Sequence, residues 1–204
     1  MLLALGVLAA MQERERSGQG QVLDVAMVDG ISLLMTQLVG WTQMGQWNLG
    51  RGGNLLDGSS YFYRCYETAD NRHIAVGALE KPFHDAFLSG LGLDPADFPD
   101  YLNPQVWAER SALIEPIVHS RTMHEWEAQF ATLDACVTPV LSPQEAAHLP
   151  PESGRGSFIA SDVSYQPRPA PRFGRSVTRT PAPTVGQEDA QAMLARWGVT
   201  NTAK

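Results

Sequence analysis

The chain has 204 residues, 44% of them hydrophobic, and a formal net charge of −7 from 15 basic and 22 acidic side chains. That supports a buried core and excludes a general nucleic-acid binder, which needs a concentrated basic surface against phosphate. Two cysteines, Cys65 and Cys136, and five scattered histidines without CxxC or HxxxH spacing give no disulfide framework and no metal cluster, so the composition reads as a reduced cytoplasmic protein without metal.

In chain order, MLLALGVLAAM has no basic residue ahead of it, and QERER follows where a cleavage site would sit, so it reads as a helix rather than as a signal peptide. It is too short to span a bilayer. The pattern predicts a buried helix that turns polar over Gln12 to Arg16 and stops at Ser17-Gly18. A domain's first residues are more often exposed and polar, so an opening inside a buried apolar helix reads as a fragment. QVLDVAM, with Val22, Leu23 and Val25, predicts a short strand, and Ile31, Leu34, Met35, Leu38 and Val39 predict a helix from Val28 to Met44. Helix, strand, helix suits a layered α/β domain. Trp41, Met44 and Trp47 cluster at the end of that helix, for core or dimer packing, with substrate contact as the alternative.

From Arg51 to Glu80, RGGNLLDGSSYFYRCYETADNRHIAVGALE places a glycine-rich polar loop before two β-like runs, FYRCYET and HIAVGAL. Ala69-Asp70-Asn71-Arg72 between them predicts a hairpin. Lys81 to Leu91 predicts a helix with Phe83, Ala86, Phe87 and Leu91 on one face and a stop at Gly90 or Gly92. A second helix follows over Gln105 to His119. A third opens at Thr122, where Glu125 completes a capping box. CVTPVL predicts a short buried strand, and Ser142 with Glu145 repeats the capping-box spacing. Beyond Pro150 the Pro-, Arg- and Ser-rich run predicts an extended arm, closed by a helix over Gln187 to Trp197.

Glu80, delivered at the end of a strand just before a helix, is the first candidate for chemistry. Asp24, Asp29, Asp57, His73 and His84 are the other titratable candidates in the chain. Asp29 at a helix start has an ordinary structural use, as has Asp57 before Gly58 in an Asx turn. Glu80 and His84 have helical spacing, but His73 and His84 read as solvated surface histidines. Arg51 suits either a phosphate or carboxylate partner or plain solvation.

Three segments in register carry a resemblance: LALGVLAAMQERERSGQGQVLDVAMVDG, RGGNLLDGSSYFYRCYETADNRHIAVGALEKPF, and DACVTPVLSPQEA with PAPRFGR. Together they resemble the C-terminal half or more of the family III CoA-transferases (the CaiB/BaiF superfamily), and within it the branch of 2-methylacyl-CoA racemases. The resemblance implies an α/β fold: residues 1–50 as part of a Rossmann-like large domain, 51–140 as a small α+β domain, and 141–204 as a return arm and helix packing on the large domain. Two such chains are expected to interlock as a homodimer, with the active site between the large domain of one and the small domain of the other.

The reaction implied is removal and return of the α-proton of an acyl-CoA thioester. It needs acid/base groups on both faces of the carbon and donors for the enolate oxygen. By this resemblance Glu80 matches the supporting Glu that holds a catalytic imidazole, while the family's His and Asp fall upstream of Met1. Asn54 and Tyr63 match positions lining the acyl end of the site; a loop-closing Asn and a half-buried hairpin Tyr are their plain readings. Ser59-Ser60-Tyr61-Phe62 departs from the racemase pattern of a small residue and a proline. No cofactor, nucleic acid or membrane partner is expected beyond the CoA carried by the substrate. CoA transfer to a free carboxylic acid, and a non-catalytic remnant or dimerisation module, stand as alternative functions.

Overall fold

The structure is a computed structural model that describes residues 1–150, 155–160, 165–178 and 196–198. Its contacts divide it into two units, residues 1–140 and 141–204.

The first unit opens with α1 (Leu2–Ser17), closed by Gly18 at φ 74°, whose amide donates to the Arg14 carbonyl at 2.8 Å. Glycine is favoured there because left-handed backbone crowds a Cβ. The helix forms where the sequence places it, but it is not buried. It has no buried residue, and Leu8 is 64% exposed. Periodicity identifies a helix; burial requires a covering surface, and the described residues do not provide one over this helix.

The expected strand at QVLDVAM is absent, and residues 20–26 run without regular structure. A strand needs a neighbour to take its amides and carbonyls, and both sheets of the described residues are built from other segments. The following helix is divided into α2 (Met27–Leu34) and α3 (Thr36–Gln43) at Met35. At the joint the Thr36 hydroxyl donates to the Leu33 carbonyl at 2.6 Å, a local bond that competes with the helical ladder. Gly30 is buried on α2, where a Cβ would come within 2.9 Å of Leu2 Cδ1. Trp41 and Trp47 stack at 5.8 Å but are only half-buried, and Met44 is exposed, so they form no core.

The better-packed part begins with β1 (Tyr63–Glu67) and β2 (His73–Gly77), paired antiparallel with Tyr66 opposite Ile74. Asn71 takes φ 55° in the turn, and Asp70 Oδ1 accepts from the Thr68 hydroxyl at 2.6 Å and the Met123 amide at 3.1 Å, tying the turn to the next helical layer. β3 (Val137–Pro139) joins antiparallel on the other side of β2. It is half-buried rather than buried, because alternation turns Thr138, opposite Ala75, to the uncovered face of the sheet.

Alternation puts Tyr66, Ile74 and Val76 on the core face and Cys65, Glu67 and His73 on the open one. The core face is covered by α4 (Lys81–Gly90), α5 (Trp107–His119) and α6 (Met123–Phe130), through Phe87, Leu88, Ile114, Val118, Trp126 and Phe130. Each such apolar burial stabilises the fold by about 1.5–3 kcal/mol. The Thr122–Glu125 capping box forms as the spacing predicts.

Gly90 ends α4 against Phe130, and a Cβ built there would overlap the Phe130 ring and come within 3.1 Å of Leu133 Cδ1. Gly90→Ala is therefore expected to destabilise the unit by about 1–3 kcal/mol through overpacking, despite alanine's better helix propensity. Urea unfolding checks this, and an unchanged or raised midpoint contradicts it.

The second unit contains α7 (Pro143–Ala147), opened by the Ser142–Glu145 capping box, and an antiparallel pair, β4 (Phe158–Ala160) with β5 (Tyr165–Pro167). The pair is regular structure that the extended-arm reading did not anticipate. Most of the helix expected over residues 187–197 lies outside the described residues.

Candidate active site

Glu80 stands at a three-way junction. Behind it the chain leaves the sheet through three bonds: the Gly77 amide donates to the Cys136 carbonyl at 2.9 Å, the Ala78 amide to Phe62 at 2.9 Å, and the Leu79 amide to Gly77 at 3.0 Å. The Tyr101 hydroxyl donates to the Leu79 carbonyl at 3.3 Å. Ahead of it α4 starts at once: Glu80 is its N-cap, extended at φ −82°, ψ 148°, and its carbonyl accepts the His84 amide at 2.9 Å. The side chain does not cap the helix. The carboxylate is exposed and has no hydrogen-bond or ion-pair partner among the described residues, so its backbone is pinned while its head is free.

Beside this junction, Gly58, Tyr63, Cys65, Ala75, Gly77 and Cys136 line an open pocket of about 480 Å³ on the uncovered face of the sheet. Tyr63 lies over Gly77, where a Cβ would sit 3.9 Å from its ring. Glu80 lies next to the pocket rather than in its wall. Desolvation pushes the Cys136 thiol, in the pocket lining, above its ordinary value, and the carboxylates of Asp134 and Glu80 raise it further.

Asn54 is buried and closes the preceding loop. Its Oδ1 accepts from the Asn48 amide at 2.7 Å, and its Nδ2 donates to the Asn48 carbonyl at 3.0 Å and to Asp57 Oδ2 at 2.9 Å. Asp57 completes the Asx turn through the Ser59 amide at 3.1 Å. Burial pushes its carboxyl up, but the hydrogen bonds from Ser59 and Asn54 outweigh this and hold it below the ordinary value. Gly58 after it takes φ 89°. The glycine-rich polar loop thus spends much of its polar capacity on itself.

Asp24 and His73 are exposed, and Asp29 lies in the first turn of α2. Arg51 is exposed on the loop.

His84 is a correction. It is fully buried, not solvated, and it pairs with Asp85 and Tyr61 rather than Glu80. Its Nε2 lies 2.7 Å from the Tyr61 hydroxyl and its Nδ1 lies 3.1 Å from Asp85 Oδ1. Tyr61, Phe62 and Tyr101 surround the imidazole, with Tyr101 at a ring distance of 4.4 Å. The reason lies in the helix period: His84 is one turn before Phe87 and Leu88 and shares their buried face. Asp85 in turn holds the Lys81 ammonium, four residues before it, in an ion pair at 2.6 Å.

Burial pushes the His84 pKa down, against the opposing pull of Asp85. At pH above the ordinary imidazole value of 6.5, folded and unfolded chains both hold the ring neutral. As pH falls below that value the unfolded chain takes up a proton that the folded one resists, so stability declines. Thermal melts across this range are expected to show a steeper acid loss for the native chain than for His84→Gln; equal slopes contradict the assignment.

The sequence profile of CoA-transferase family III matches residues 1–189, and the chain belongs to that family. This bears out the resemblance read from its motifs. Its fold is likewise that of the family: the solved structure of Rv3272 from Mycobacterium tuberculosis aligns with a TM-score of 0.60 at 22% identity, over 85% of this chain and 46% of that one. The chain is also 38% identical over 197 residues to an alpha-methylacyl-CoA racemase of Mus musculus, covering 95% of this chain and 52% of the mouse protein. The identity to the Homo sapiens alpha-methylacyl-CoA racemase is 40% over 172 residues, covering 84% and 45%. The chain spans about half the length of these curated relatives. Among the described residues, no helix is long and apolar enough to cross a membrane.

Proposed function

We propose that these residues are the C-terminal part of a 2-methylacyl-CoA racemase, in which Glu80 supports an imidazole supplied from outside the 204 residues. The observation that carries this is the carboxylate of Glu80, without a hydrogen-bond or ion-pair partner among the described residues and carried on a backbone pinned at the N-terminus of α4. A group that positions a charged imidazole needs both properties: an open acceptor and a fixed origin. In this reading a His and an Asp, both upstream, face the two sides of the substrate α-carbon. One takes the α-proton and the conjugate acid of the other returns it, while Glu80 stabilises the imidazolium. Tyr63 would meet the acyl chain from the pocket beside the junction, and Asn54 would shape the loop over it.

The same reading assigns residues 1–50 to a large domain, 51–140 to a small domain and 141–204 to a return arm, with two copies interlocked as a homodimer in the cytoplasm. The exposed apolar face of α1 and α2 suits a further layer of polypeptide in that assembly.

The test is solvent deuterium exchange at the substrate α-carbon by this chain fused behind the upstream half of the mouse relative. Exchange without any added carboxylic acid is expected. Turnover only when a second acid is supplied would replace the racemase reading with CoA transfer. A folded fusion with neither activity would favour a non-catalytic module.

A further inference from the structure

His84 and its neighbours form a directional chain of hydrogen bonds whose protons can be assigned one by one. A carboxylate only accepts, so the contact at Asp85 Oδ1 requires the proton on Nδ1 of His84. In the neutral ring Nε2 then accepts, and the Tyr61 hydroxyl must donate to it. The Tyr61 oxygen in turn accepts from Arg110 Nη1 at 3.3 Å, while Arg110 Nη2 donates to the Pro99 carbonyl at 2.5 Å. At the other end both oxygens of Asp85 take the Lys81 ammonium, at 2.6 and 2.7 Å. Every donor in the chain has one acceptor only while the imidazole is neutral. The groups facing the ring are Tyr61 and Phe62 from the segment before β1, Tyr101 from the loop before α5, Arg110 from α5, and Lys81 and Asp85 from α4 itself.

This chain spans the first turn of α4, the turn that opens at Glu80. The His84 amide is bonded to the Glu80 carbonyl, and Lys81, the residue after Glu80, has its ammonium drawn to Asp85. We infer that His84 is a positioning residue for Glu80, acting as a neutral imidazole with the proton on Nδ1, clamped between Tyr61 and Asp85. The inference rests on the role given to Glu80 above. A protonated ring would present a second N–H to Tyr61, whose own hydroxyl proton would then lose its acceptor, and the clamp would loosen. Burial of the ring works against that protonation.

The experiment is done first on the 204-residue chain. Nitrogen-15 NMR of the His84 ring above pH 7 should show the Nδ1–H tautomer. Hydrogen exchange at the His84 amide, which reports its bond to Glu80, should rise roughly five-fold in Tyr61→Phe, while the β2 amides stay within about two-fold of the native chain. An Nε2–H tautomer, or a His84 amide that Tyr61→Phe leaves unmoved, overturns the inference. In the fusion described above, Tyr61→Phe should lower kcat roughly five-fold with little change in KM. An unaltered kcat in an active fusion overturns the inference as well. If the unsubstituted fusion is inactive, the role of Glu80 fails while the tautomer and exchange results still decide whether His84 clamps the turn.

Discussion

Glu80→Gln, placed in the fusion with the upstream half of the mouse relative, should lower α-proton exchange by roughly 10²-fold or more, the range of a lost acid/base contribution. Glutamine keeps the length and the N-cap backbone, and the native side chain makes no capping bond, so the helix start should survive. What disappears is the negative charge beside the imidazole. The loss should therefore fall on kcat, with KM changed little, because the charge matters most when the imidazole is protonated during turnover. Circular dichroism and the urea midpoint should match the native fusion. Equal kcat values for the two would remove Glu80 from the mechanism.

The largest expected loss of stability comes from Trp126→Ala, at about 3–5 kcal/mol. Trp126 is almost fully buried on α6 and does three things at once. Its ring packs on Phe130 at 5.9 Å, its indole N–H donates to the Val118 carbonyl at 2.8 Å near the end of α5, and the Arg121 guanidinium lies 4.9 Å from its ring. Truncation leaves a cavity under the sheet and removes the shorter of two bonds to the Val118 carbonyl, which keeps the Arg121 amide at 3.4 Å. Trp126→Phe should lose less, since the ring volume is largely kept. Urea unfolding of both variants measures this, and a cost below about 1 kcal/mol for the alanine variant would contradict the packing described.

What was legible in the sequence depended on how far apart the interacting groups lie along the chain. The hairpin and both capping boxes rest on partners a few residues apart, and all three formed as the spacing predicts. The Gly18 stop of α1 is equally local. Burial is not local. The apolar periodicity of α1 and of residues 28–44 reads the same whether or not a partner layer covers it, and these helices lie largely exposed. The strand expected at QVLDVAM failed for the same reason, since its backbone would need a neighbouring strand.

At the site, the strand-to-helix delivery of Glu80 was visible as a pattern of types, and so was the Asx turn at Asp57. The environment of His84 was not. Tyr61, 23 residues before it, and Arg110, 26 residues after it, reach the cluster only through the tertiary fold, and no window of sequence joins them.

The most direct measurement follows the fate of both epimers of a 2-methylacyl-CoA in heavy water with the fusion. Starting from either epimer, convergence on the same mixture is expected, with deuterium entering the α-carbon as the configuration inverts, and near-complete loss of both in Glu80→Gln. A folded, dimeric fusion that returns each epimer unchanged and free of deuterium would contradict it.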